Sequence, residues 1–210
     1  MGQYYTAVII SENDDIKTVL AHDFGQGAKL MDFSWCGNQV VNTVLSLIHN
    51  QKAKVAFIGD YANDDPYDAS VDFYASILPR ESFEKYYKAA WDKNEKEKYK
   101  MRKYRFSKAD MEMLDMDTIG KYLVNHDKSE YIDIEAYIKD AKIIMHNDYW
   151  AVNPLPLLTA CGNGRGGGDF FSENTGFEDV GIWAFSTLEY TEHIPAGYKQ
   201  ACFIFKREAE

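Results

Sequence analysis

The residues best suited to chemistry in this chain stand close together. Within Asn153–Phe171, NPLPLLTACGNGRGGGDFF, a proline-framed apolar run opens into Gly162, Asn163, Gly164, Arg165, Gly166, Gly167, Gly168 and Asp169. Glycines permit positive φ and close backbone approach, so successive N–H groups can line a concavity that holds an anion. Arg165 adds a planar fork suited to phosphate or carboxylate. The segment lacks the lysine and hydroxyl residue that end GxxxxGK[ST], and no strong helix follows it. It is therefore neither a Walker loop nor a dinucleotide fingerprint. A tight turn joining two strands would explain the glycines without a ligand, but an arginine and an aspartate among five glycines exceed what a turn requires.

A second group follows the apolar run Lys54–Ile58, where Gly59, Asp60, Tyr61, Ala62, Asn63 and Asp64 form a strand-to-loop exit. The element is similar to the GDxxD of metallophosphoesterases, but its second acid falls one position late and the companion DxH, GNHD and GHxH elements are absent. Asp60 reads either as a turn residue after a buried strand or as a hydrogen-bonding group facing a pocket. The doublets His22-Asp23 and His146-Asn147-Asp148 lack the i, i+4 spacing of a helical zinc motif, and chance produces such doublets among five histidines and thirty-three acids. No metal site and no cofactor is expected. Neither Cys36 nor Cys161 has a diagnostic partner for nucleophilic catalysis. Trp35, Tyr61, Trp150 and Trp183 each border a turn or a glycine, where a ring can pack in the core or close over a flat ligand. The ligand-binding set on this reading is the run from Gly162 to Asp169 with Asp60, Tyr61, Trp35, Trp150 and Asn153.

These residues need a scaffold. Gln3–Ser11 is rich in tyrosine and β-branched residues, and a polar Glu12–Asp15 separates it from Lys17–Asp23, which predicts a hairpin. LMDFSW then reads as a short extended piece. Asn38 stands before Val40, Val41, Val44, Leu45 and Ile48, whose spacing predicts a capped core helix. Lys54–Ile58 is a short buried strand. Asp65-Pro66 opens a helix ended by Pro79, and Phe83, Tyr86, Tyr87, Ala90 and Trp91 stripe a helix over about Glu81–Lys96. Lys98–Phe106 reads as a basic edge strand and Ser107–Met116 as a short helix. Ile119–Val124 and Tyr131–Tyr137 predict a second hairpin across NHDKS, with His126 a solvated turn residue. Ile143–Met145, the Asn153 segment, Val180–Leu188 and Gln200–Lys206 read as further strands. The expected fold is α+β, a single domain over residues 1–210 with a mainly antiparallel sheet, packed helices and a β-rich C-terminal half.

The charge balance narrows the partners. A net charge of −10 disfavours direct nucleic-acid binding, which relies on lysine and arginine to neutralise phosphates. Lys88–Lys108 alone carries +6, against −16 for the remainder. Three separated cysteines with no CxxC pair give neither a disulfide framework nor a structural zinc site. No apolar run approaches the length of a membrane span and no basic leader opens the chain, so a cytoplasmic protein with no membrane partner is expected.

MGQYY, KLMDFSWCGNQVV, VAFIGDYA and NPLPLLTACGNGRGGGDF together resemble an uncharacterised family of small proteins of phages and gut-associated bacteria, over residues 1 to about 185. The resemblance carries over no catalytic residue. It implies a role in host manipulation, in the host cytoplasm, such as blocking a host protein or sequestering a nucleotide signal used in defence. Three function classes follow. The first is a binding protein for a small anionic, nucleotide-derived ligand held by the glycine-rich segment. The second is an acidic protein-binding inhibitor that occupies a basic site on a host protein. The third is a hydrolase acting on a phosphate-containing substrate; an enzyme is the less favoured class.

Overall fold

The structure is a computed structural model that describes residues 3–34, 37–62, 78–91, 121–140, 142–145, 148–151, 153–162 and 179–203, with the backbone alone between 139 and 151. The helix expected before Pro79, the basic strand at Lys98–Phe106 and the helix at Ser107–Met116 fall outside these residues, apart from Leu78.

Tyr and β-branched residues at the start of the chain form β1 (Tyr5–Ser11), which turns back into β2 (Ile16–Val19) with Ala7 opposite Val19 and Ile10 opposite Ile16. The turn is tight because Asp14 takes a left-handed conformation, φ 63°, which aspartate tolerates better than most residues. β3 (Ala53–Gly59) pairs antiparallel with β1 along its whole length. On its other side β3 changes partner. Ala53 and Lys54 pair antiparallel with β9 (Thr187–Thr191), whereas Phe57 and Ile58 pair parallel with β8 (Ala160–Cys161). Beyond β9 lie β4 (Tyr122–Asn125), β5 (Glu130–Asp133) and the parallel edge strand β10 (Lys199–Gln200), giving the order β10-β5-β4-β9-β3-β1-β2. β6 (Lys142–Met145) and β7 (Asp148–Ala151) make a separate hairpin. The fold is thus α+β, built on an eight-stranded, mostly antiparallel sheet.

Strand alternation splits the buried residues into two layers. On one face Ala7, Ile9, Val55, Phe57, Leu123 and Leu188 meet α1 (Leu30–Phe33), α2 (Gln39–Leu47) and α5 (Pro154–Leu158). On the other, Val8, Ile10, Ala56 and Ile58 meet Phe83, Tyr86 and Ala89 of α3 (Arg80–Trp91). α2 begins as its sequence predicts: the Asn38 side chain accepts from the N–H groups of Val40 and Val41 at 2.9 and 3.2 Å, and Val40, Val41, Val44, Leu45 and Ile48 are buried. α4 (Ile134–Asp140) cuts the second hairpin short, because Asp133 Oδ1 accepts from Ala136 N and turns the chain into a helix where a longer strand was expected.

Four other expected strands are corrected. Lys17–Asp23 leaves the sheet at Val19 and forms a 3₁₀ turn over Ala21–Phe24, closed by Gly25 at φ 66°. LMDFSW contains the short helix α1, whose start is fixed by Asp32 Oδ2 accepting from Lys29 N. The Asn153 segment is α5: Asn153 caps Leu155 N at 3.0 Å, and Pro154 loses nothing at a first helical position that needs no N–H. Val180–Phe185 is a run of turns with Gly181 and Phe185 at positive φ, and only from Thr187 does the chain run as a strand.

Candidate functional site

The parallel strands β3 and β8 end together. Phe57 faces Ala160 and Ile58 faces Cys161, so Gly59 and Gly162 are next in line, and Tyr5 of β1 stands opposite Gly59. The Gln3 side chain lies across this row on the face of the larger core. A Cβ at Gly162 would come within 2.5 Å of Gln3 Oε1 and 2.7 Å of the Tyr5 hydroxyl, and one at Gly59 would overlap the Gln3 amide nitrogen. Tyr5 donates its hydroxyl to Gln3 Oε1 at 2.8 Å, while Gln3 Nε2, fully buried, has no hydrogen-bond partner among the described residues. A side chain at either glycine would have to displace the Gln3 amide, which fills that space.

The opposite face of the same strand end carries partly exposed groups. Asp60 and Tyr4 hold each other by Tyr4 N donating to Asp60 Oδ1 at 3.0 Å and Asp60 N donating to Tyr4 O at 2.9 Å. From α3, Tyr87 donates its hydroxyl to Asp60 O at 2.7 Å and Trp91 donates Nε1 to Ile58 O at 2.8 Å. Tyr4 is 49% exposed, and Asp60, Tyr61, Tyr87 and Trp91 are half-buried. Asp60 Oδ2 makes no hydrogen bond among the described residues. The wall formed by α3 is pinned to the first hairpin by Lys85 and Tyr86, whose Nζ and hydroxyl both donate to Asp14. These hydrogen bonds, that from Lys85 first, hold the Asp14 carboxyl below its ordinary value; burial and the hydrogen bond to Asp14 push the Tyr86 phenol up.

The described chain resumes at Asp179, beside α5 and β8. Gly181 N donates to Leu157 O and Trp183 N to Leu158 O, both at 2.8 Å. Gly181 takes φ 81°, and a Cβ there would lie 2.5 Å from Ala160 O.

The structure thus brings Asp60, Tyr61 and Gly162 of the sequence-derived set to neighbouring strand ends. Asn153 is buried, with its side-chain oxygen committed to capping α5. Trp150 lies on β7. Trp35, Asn163, Gly164, Arg165, Gly166, Gly167, Gly168 and Asp169 fall outside the described residues. Trp183 is fully buried and packs edge-on against Phe203, a core ring. Gln3, Tyr4, Tyr87 and Trp91 were missed. The i, i+4 spacing of Tyr87 and Trp91 on a helix next to Asp60's strand was the available signal.

His126 is corrected from a solvated turn residue to a nearly buried one. Its Nε2 lies 2.8 Å from Glu189 Oε2 and its Nδ1 3.0 Å from the Tyr198 hydroxyl, so it ties the β4–β5 turn to β9 and to the approach to β10. Among the described residues no group of three or more His, Cys, Asp or Glu side chains could hold a metal ion, and no helix is long and apolar enough to cross a membrane. No protein family, curated protein or solved structure matches the chain.

Proposed function

We propose that this protein captures a small anionic, nucleotide-derived ligand at the shared end of β3 and β8, with sequestration of a host-defence signal as the corresponding role. The observation that carries the reading is the adjacency of Gly162, where the glycine-rich segment starts, to Gly59-Asp60 at the C-terminal ends of two parallel strands. Such ends are where open α/β sheets place ligands, since side chains and loop amides converge there beyond the last strand hydrogen bond. Half-buried aromatics beside Asp60 offer a surface for a flat base. Arg165 supplies the cation for the phosphate, three positions after Gly162 in the chain.

Isothermal titration with mononucleotides and cyclic dinucleotides tests this. The expected result is saturable heat with at least one of them, weakened tenfold or more by Arg165→Ala. Absence of heat with every nucleotide overturns the reading.

A further inference from the structure

The open face of the strand end has a chemistry of its own, distinct from that of an anion clamp. Asp60 stands there with one carboxylate oxygen, Oδ1, accepting from Tyr4 N at 3.0 Å and the other, Oδ2, without a partner among the described residues. A carboxylate repels phosphate and accepts hydrogen bonds only, so this corner suits the donor-bearing part of a ligand. Three aromatic residues are tied to this strand end. Tyr4 is joined to Asp60 backbone to backbone, Tyr87 to the Asp60 carbonyl, and Trp91 to the carbonyl of Ile58 two residues earlier. Tyr4 is one of the two most exposed large hydrophobic side chains among the described residues, the other being Ile194. An exposed ring on the residue paired with a half-satisfied carboxylate offers a stacking surface on the same strand end as an acceptor.

β1, β3 and β8 lie side by side with Asp60 on the middle strand, so a base at Tyr4 is one inter-strand spacing, about 5 Å, from Asp60 and two from Gly162.

We infer that Asp60 Oδ2 accepts a hydrogen bond from the exocyclic amino group of a nucleobase stacked on Tyr4, so that the site selects adenine and cytosine nucleotides over hypoxanthine and uracil ones. The inference rests on the nucleotide-binding reading above. In each of those pairs an amino donor is replaced by a carbonyl, which a carboxylate repels. Asp60→Asn reverses the sense of the edge: its amide oxygen still accepts from Tyr4 N, and its amide nitrogen takes the place of Oδ2 as a donor.

The test is calorimetric titration of the full chain with AMP against IMP and CMP against UMP, and with cyclic dinucleotides of adenine against those of uracil. Wild type should favour the amino member of each pair at least tenfold. Asp60→Asn should abolish or invert that preference at an unchanged melting midpoint, and Tyr4→Ala should weaken both members alike. Binding without a preference, or a preference that Asp60→Asn leaves intact, overturns the inference while nucleotide binding stands. No binding of any nucleotide by wild type overturns both. Should Asp60→Asn melt early, Asp60→Glu decides: it keeps the acceptor but displaces it, and an amino preference of undiminished size would refute the assignment.

Discussion

The two faces of the β3 strand end differ in almost every respect that matters. On the side of the larger core, Gln3, Tyr5, Gly59 and Gly162 are fitted together, with an amide lying where two side chains would otherwise be. On the side of α3, Tyr4, Asp60, Tyr87 and Trp91 leave, among the described residues, one carboxylate oxygen without a partner and the Tyr4 ring exposed. The glycines that first draw attention in the sequence are, at these two positions, accounted for by the filled side. The chemistry that could recognise a ligand stands on the other. A glycine next to a functional residue can thus be silent about function and still mark its location, because both are consequences of where a strand ends.

This contrast can be broken by substitution. The largest effect is expected from Gly59→Ala, whose new methyl overlaps the Gln3 amide and should cost about 1–3 kcal/mol, the range typical of overpacking, read from urea unfolding. The same substitution made beside Gln3→Ala should cost less, a coupling that a double-mutant cycle would show; additive losses would mean the two sites do not touch. Tyr5→Phe comes next. Removing its hydroxyl leaves Gln3 Oε1 buried without its donor, for about 1 kcal/mol of stability.

Asp60→Asn should change stability by less than about 0.5 kcal/mol, since Tyr4 N keeps an acceptor, and a melting midpoint shifted by many degrees would show that the open side is structural after all. The smallest effect is expected at Asp14, an exposed clamp between the hairpin and α3. Its carboxyl titrates lower in the folded state than its ordinary 3.8, mainly through the hydrogen bond from Lys85. The stability it adds is present above that unfolded value and is lost as pH falls through the folded one. Acid titration of wild type and Asp14→Asn should therefore show a small difference at neutral pH that closes below about pH 4. A gap that persists in acid would assign the clamp to something other than the ionised carboxylate.

How much of this was legible follows from which interactions are local. The cap at Asn38, the apolar stripe of α2 and the first hairpin are decided within a few residues; the cap and the stripe stand where the sequence places them, and the hairpin forms with a second strand that ends at Val19. Asn153 carries the same capping chemistry as Asn38, yet the prolines and leucines after it read as a strand; the pairing of an N-cap asparagine with proline at the first helical position was the signal to follow. Val180–Leu188 has strand composition, but Gly181 and Phe185 sit at positive φ, and the backbone of 181–185 is held by Leu157, Leu158 and Val55, all distant in sequence. For a bulky Phe185 such a φ is tolerated because its ring is packed between Phe83 and Tyr86. The site divides in the same way. Asp60 and Tyr61 were visible as a strand exit, whereas Gln3 becomes meaningful only when β1, β3 and β8 are side by side. His126 looked solvated because its partners, Glu189 and Tyr198, lie more than sixty residues away.

The clasp formed by Gly181 on Leu157 and Trp183 on Leu158 joins residues more than twenty positions apart in the chain, so its two amides should exchange their hydrogens with solvent only when α5 and the turns after Asp179 separate.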